Sequence, residues 1–232
     1  ALDESVWGYN TGGSGWGNRE LQYYTTRPEN VRLENGMLLI EARKEQYNNN
    51  EYTSGRLLTK NKKTFTYGRI EARIKFPGGK GTWPAFWMMG NAGGWPNCGE
   101  IDIMEHVGSI PNRASFALHT VEKNGTRGNN WHATKMFDYS LADDFHTYAV
   151  EWAQEEKDGK DVIRFFVDGV QYAEQWEAKI DNNDSWPFNK PHFIILNLAI
   201  GGTMGGSVDD AIFNVPRIMY VDYVRVYQRT EK

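Results

Sequence analysis

Three carboxylates fall within six positions in the stretch Glu100-Ile101-Asp102-Ile103-Met104-Glu105. Paired acids at close range can do general acid–base or nucleophilic chemistry, and here they sit among apolar and β-branched residues, a strand composition. Side chains alternate along a strand, so Glu100 and Asp102 share one face while Ile101 and Ile103 point into a core. Strict alternation would then bury Glu105 and expose Met104. A one-residue bulge at Met104 shifts the phase and returns Glu105 to the face of the other two acids. A helix fails the same test, because five residues turn through about 500° and separate Glu100 from Glu105. With one residue absorbed by the bulge, the two glutamate Cα atoms lie roughly 13 Å apart at about 3.3 Å per residue. Inclined toward each other, the carboxyls close to about 5–6 Å, the separation of a retaining glycosidase pair. Three acids in one patch repel, so at least one should hold its proton to higher pH, as a general acid requires. A solvated acidic strand face and a metal site are the alternatives on these residues alone.

Aromatic rings surround the acids in sequence. Trp83 and Trp87 lie in Gly81-Thr82-Trp83-Pro84-Ala85-Phe86-Trp87-Met88-Met89-Gly90, and Trp95 follows in the next loop. Four residues apart on a strand, Trp83 and Trp87 share a face. Flat apolar rings beside acids suit the faces of sugar rings, although a tryptophan is as readily a core residue.

At this point the chain resembles a known family. The hexapeptide Glu100–Glu105 matches the signature of glycoside hydrolase family 16 in its bulged, laminarinase form. Gly17-Asn18-Arg19-Glu20-Leu21-Gln22-Tyr23-Tyr24-Thr25, Tyr67-Gly68-Arg69-Ile70-Glu71-Ala72-Arg73, Asn197-Leu198-Ala199-Ile200-Gly201-Gly202 and Tyr220-Val221-Asp222-Tyr223-Val224-Arg225-Val226-Tyr227 also resemble that family, in order and nearly end to end. The resemblance implies an endo-acting hydrolase of β-1,3-glucan, with mixed β-1,3/1,4-glucan within reach, that retains anomeric configuration by double displacement. It implies Glu100 as nucleophile, Glu105 as acid/base, and Asp102 between them, tuning both. Trp87 and Trp95 would line the sugar site beside the scissile bond and Trp83 an outer subsite. His119 and Asn197 match positions near the acid/base, and Arg56 and Asn18 match positions that hydrogen-bond sugar hydroxyls. No cofactor serves the chemistry. Many relatives hold one structural Ca²⁺ through a carbonyl at the position of Gly36 and a carboxylate at that of Asp222. The third ligand there lies on an N-terminal strand that this chain does not show, with Glu4 as a substitute. Read from the residues alone, His119 could be an ordinary strand histidine and Arg56 a surface ion-pair partner.

Stepping outward to the elements, strand patterns recur at short spacing. Val31–Glu34 and Met37–Arg43 flank Asn35-Gly36, a two-residue hairpin signal, and Val162–Val167 and Val170–Gln175 flank Asp168-Gly169. Further strands are expected at Leu21–Thr26, Ser54–Lys60, Phe65–Phe76, Ala114–Val121, Phe145–Trp152, His192–Ile200 and Ile218–Arg229. Gln46–Glu51 reads as polar loop, as does Glu122–Trp131, which would rim the site. Only Ser140–Asp144 and Val208–Phe213 hint at helical turns. Many short strands without long helical patterns indicate an all-β, two-sheet antiparallel sandwich. The resemblance narrows this to a jelly roll of concanavalin A-like form with a substrate cleft on its concave sheet.

The 232 residues suit a single catalytic domain over 1–232. A net charge of −4 with mixed signs and no basic run gives no footprint for nucleic acid or an anionic membrane. No apolar stretch reaches membrane-spanning length. Cys98 is the only cysteine, so no intrachain disulfide forms. The chain reads as a mature, secreted, monomeric protein without its signal peptide.

Overall fold

The computed structural model describes residues 2–142, 144–154, 159–177 and 186–229. Its strands are β1 (Gly8–Tyr9), β2 (Gln22–Tyr24), β3 (Val31–Glu34), β4 (Met37–Tyr47), β5 (Asn50–Ser54), β6 (Arg56–Leu58), β7 (Gly68–Lys75) and β8 (Thr82–Gly90). They continue with β9 (Glu100–Glu105), β10 (Arg113–His119), β11 (Trp131–Met136), β12 (His146–Gln154), β13 (Asp161–Val167), β14 (Val170–Trp176), β15 (His192–Ile200) and β16 (Arg217–Tyr227). A seven-stranded sheet runs β1-β6-β15-β8-β9-β10-β11, and a nine-stranded sheet runs β14-β13-β12-β7-β16-β4-β5-β2, with β3 on β4. The two form a jelly-roll sandwich. Every pairing is antiparallel except β2 with β5, which is parallel, a departure from the expected wholly antiparallel arrangement.

Alternation explains the core. On β7, Ile70, Ala72 and Ile74 are fully buried between the sheets, while Arg69, Glu71 and Arg73 face out and pair with Glu151, Tyr223 and Asp222. Phe86, Met88, Ile101, Phe116, Leu196 and Leu198 from the seven-stranded sheet pack into the same apolar cluster as Ile40, Tyr148, Trp152, Ile163 and Phe165. Each such side chain, removed from water, contributes about 1.5–3 kcal/mol before entropy is counted.

Both expected hairpins form, and their turns explain the residue choice: Asn35 and Gly36 have φ of 50° and 81°, Asp168 and Gly169 49° and 77°. Two positive φ values in a row suit Asn, Asp and Gly. The expectation of loop at Gln46–Glu51 is corrected. Asn48 and Asn49, at φ 45° and 68°, make a tight turn joining β4 directly to β5. Strand β11 begins at Trp131, the last residue of the expected loop Glu122–Trp131, and continues through residues for which no element is expected. The helical turn expected at Val208–Phe213 is a short 3-10 segment at Asp210–Asn214, and a four-residue helix at Gly202–Gly205 was unforeseen. At the helical turn expected for Ser140–Asp144, residues 141–142 form a turn without a helix, and Asp143 lies outside the described residues.

Candidate active site

Strand β9 lies between β8 and β10 near the middle of its sheet, and its register carries the expected irregularity. Ala85 and Phe86 pair with Glu105 and Met104, but the next residue, Trp87, pairs with Asp102, leaving Ile103 as the extra residue. The same shift appears against β10, where Ser115 pairs with Glu105 and Ala117 with Asp102. Ile103 and Met104 therefore both point inward, each fully buried, and the phase change puts Glu100, Asp102 and Glu105 on the outer face. Gly99, at φ 82°, precedes the strand, and a Cβ there would lie 2.6 Å from the Pro187 ring.

Cross-strand pairing decides what surrounds the acids. Beside Glu105 lie Ala85 and Ser115, and beside Asp102 lie Trp87 and Ala117. Three of these four neighbours are small, so the floor next to the carboxyls is low and open to a long ligand. Farther along the same rows stand Asn197, opposite Ala85, and Arg56, opposite Asn197. On the other side His119 pairs with Glu100.

The side chains meet as follows. Trp83 Nε1 donates to Glu105 Oε1 at 3.2 Å. This corrects the expected outer position of Trp83: its indole is against the acid and only 7% exposed. His119 Nε2 lies 3.2 Å from Asp102 Oδ2 and 3.9 Å from Glu100 Oε1, and its ring is 6.0 Å from that of Trp95. Histidine 119 thus stands on the Asp102–Glu100 side of the trio. Trp95 is 43% exposed, and Trp87 lies half-buried with its Nε1 donating to Asn197 Oδ1 at 2.7 Å. Asn197 Nδ2 donates to the Tyr24 hydroxyl, which donates to Glu20 Oε2. Gln22 and Asn18 donate to the same carboxylate. Asn18 is therefore turned toward Glu20. The relay Trp87–Asn197–Tyr24–Glu20 has one donor and one acceptor at each step, so the amide orientation of Asn197 follows from it. Glu20, Gln22 and Tyr24 lie in the Gly17–Thr25 stretch, where nothing in the sequence alone marks them as site residues.

Arg56, 9% exposed, has its guanidinium carbon 4.8 Å from the ring centres of both Trp16 and Trp87. Such stacking suits arginine, whose plane is weakly hydrated. Among the described residues no ion pair holds it, and its burial does not suit the surface ion-pair alternative. Trp16, at φ 51°, completes the stack and gave no separate sequence signal among nine tryptophans.

Burial and mutual repulsion raise the proton affinity of all three acids. Glu100 is pushed up to about 8, by burial first and by the Asp102 charge second, against the pull of His119 and of the Trp95 N–H. Glu105 is pushed up to about 7 by burial and the Glu100 charge, with His119, the Trp83 N–H and Arg113 pulling it down. Asp102, 3% exposed, is raised well above its ordinary value for the same reasons. The trio cannot be fully ionised at neutral pH, and its protons belong to the cluster rather than to one residue. Burial and the Asp102 charge hold a proton on Glu100, so the neighbours that favour its ionised form matter to any chemistry that needs it.

Glu100, Asp102 and His119 bring three ligating atoms within 4.8 Å of one another. The expected calcium donors fit less well. Gly36 and Asp222 line one hollow, but mainly with apolar neighbours such as Leu33, Leu38 and Val224, and Asp222 Oδ2 accepts from Arg73 at 2.9 Å. Calcium takes six to eight oxygens, and among the described residues no further carboxylate joins Asp222 in a cluster of possible ligands. These two residues do not form a calcium cage.

Comparison with known proteins shows the family and the fold. The model of the Glycosyl hydrolases family 16 matches residues 18–217. The chain is 44% identical to the beta-glucanase of Rhodothermus marinus, over 99% of this chain and 81% of that protein. It superposes with a TM-score of 0.90 on the laminarinase structure from the same organism, at 44% identity, covering 99% of this chain and 92% of that one. A TM-score of 0.90 at 42% identity, over 99% and 90% of the two chains, relates it to a mutant of a non-specific endo-beta-1,3(4)-glucanase. That mutant was co-crystallised with 1,3-beta-D-cellotriosyl-glucose.

Proposed function

The chain belongs to the glycosyl hydrolases of family 16, and from that premise we propose that it is an endo-acting β-1,3-glucanase of laminarinase type. It cuts laminarin-like chains, and mixed β-1,3/1,4-glucan as a second substrate, with retention. The observation that carries the reading is the bulge at Ile103–Met104, which puts Glu100 and Glu105 on one open face with Asp102 between them.

Glu100 attacks the anomeric carbon while Glu105 protonates the departing glycosidic oxygen, giving a covalent glycosyl-enzyme. Glu105, having given up its proton, then takes one from water, which attacks the same carbon and frees Glu100. Burial and repulsion keep the proton on Glu105 ready. Asp102 holds charge and proton between the two. Trp83 orients Glu105 through its indole N–H. The Arg56–Trp87 stack, held by Asn197, and the half-exposed Trp95 offer sugar-facing rings on either side, with Asn18 as a hydroxyl contact. Low neighbours such as Ala85 and Ala117 leave the acids open along the sheet, which lets a polymer lie across them and favours cutting within the chain.

A glucan polymer does not cross membranes, so the enzyme acts outside the cell, and we read it as a secreted monomer. No described helix is long and apolar enough to span a membrane. Incubation with laminarin, lichenan, agarose and carrageenan, with product sizing, tests the substrate class. Short oligosaccharides from laminarin are the expected result. Cleavage confined to agarose or carrageenan would overturn it. NMR of the first-formed laminarin product should show the β-anomer.

A further inference from the structure

The turn after β10 presents a backbone N–H to the histidine beside the acids. Gly125 N donates to His119 Nδ1 at 3.0 Å. A nitrogen that accepts a hydrogen bond carries no proton, so the single proton of the neutral ring lies on Nε2. That nitrogen lies 3.2 Å from Asp102 Oδ2, a buried atom with no hydrogen-bond partner among the described residues, and 3.9 Å from Glu100 Oε1.

One buried side chain builds this turn. Asn124 is 2% exposed, with Nδ2 donating to the carbonyls of Thr120 and Val121 and Oδ1 accepting from Arg127 N. Its own N–H is held by Asn129 Oδ1, and Asn129 Nδ2 reaches Glu122 O. All the amide's hydrogen-bonding groups are thus used to fix the residue before Gly125. A Cβ on Gly125 would lie 3.3 Å from His119 Cε1, so the main chain is pressed close against the ring.

We propose that Asn124, through the Gly125 amide, is a positioning residue that locks His119 with its proton on Nε2, turned toward the Asp102–Glu100 pair, where it favours the ionised nucleophile. The proposal rests on the hydrolase reading given above. Without the lock, the ring can place its proton on Nδ1 and turn a lone pair toward two carboxyls, which repels their charge. Other charged and titratable groups act on the cluster: Glu105 on β9, Arg113 on β10, Arg56 on β6 and Cys98 ahead of β9. The turn itself carries Glu122, Lys123 and Arg127. None of these supplies an N–H to His119 Nδ1 in the described residues.

The first readout needs no activity. In a two-bond ¹H–¹⁵N spectrum of the wild-type protein at neutral pH, the ring assigned by its loss in His119→Gln should show a lone-pair Nδ1 and a protonated Nε2. A protonated Nδ1 overturns the proposal. In Asn124→Ala, and in the milder Asn124→Asp, the two tautomers should mix. The acid limb of kcat/KM on laminarin should rise by about half a pH unit or more, because Glu100 then ionises less readily. In a His119→Gln background the same substitutions should leave the limb in place. Loss of kcat with tautomer and limb both unchanged would assign Asn124 to structure alone and contradict the lock. The spectrum reads the ring directly, so failure of the lock and failure of the hydrolase reading are told apart.

Discussion

Glu105 can give a proton only while it holds one, and His119, the Trp83 N–H and Arg113 pull against that. Burial and the Glu100 charge carry it up to about 7, while the Trp83 N–H and Arg113 favour its ionised form. Activity should therefore fall as pH rises through about 7, when the acid deprotonates. Trp83→Phe removes one donor to the ionised form, so the alkaline limb should move upward. A hydrogen bond of about 1 kcal/mol corresponds to roughly 0.7 pH unit, and a pH–rate profile on laminarin reads it directly. A limb that stays put would mean the indole contact is packing only. Glu105→Ala should slow hydrolysis by about 10²–10⁴-fold, least for substrates with good leaving groups, and azide should restore part of the rate. Glu100→Gln should remove turnover on every substrate, since an amide forms no glycosyl-enzyme.

The bulge is the element on which the site depends, and it was legible because three acids among apolar residues cannot share a face under strict alternation. Its position was less so: Met104 was singled out, whereas opposite β8 the extra residue is Ile103. Deleting Ile103 leaves Glu-Ile-Asp-Met-Glu, which alternates without a bulge and keeps all three acids outward. Such a variant should melt at lower temperature, having lost a buried aliphatic worth about 2–5 kcal/mol, yet retain measurable laminarin hydrolysis. A cooperative melt without activity would show that the bulge sets more than phase. Elsewhere, β7 and β15 were readable from alternation or continuous apolar runs, and two hairpins from Asn-Gly and Asp-Gly. Strand β11 was missed because its alternation, Trp131-His132-Ala133-Thr134-Lys135-Met136, is that of a polar edge strand paired only with β10. The Asn48-Asn49 turn hid within a polar run. The Glu20–Tyr24–Asn197–Trp87 relay bonds Tyr24 to Asn197 across 173 positions, and only tertiary structure assembles it.

At the scale of the whole molecule, the site costs stability where it gains function. Glu100 and Glu105 hold protons in the folded protein above their ordinary value of 4.5, so folding loses support as pH rises from there through about 8. His106 and His192, buried and lowered from 6.5 to about 4, act in the opposite sense: their contribution is full above 6.5 and is lost as pH falls toward 4. Glu100→Gln should therefore raise the melting temperature at pH 8 to 9, with the gain vanishing below pH 5, as calorimetry across pH would record. Excess chelator should leave the melting curve unchanged, because Asp222 is engaged by Arg73. The central claim, that this sandwich presents Glu100 as the attacking group of a retaining pair, is tested most directly by mass. Treated with a 2-deoxy-2-fluoro β-1,3-glucosyl donor bearing a good leaving group, the intact protein should gain one glycosyl unit, and proteolysis should place it on Glu100. A label on Asp102 or Glu105, or turnover of the donor with inversion and no adduct, would contradict the account.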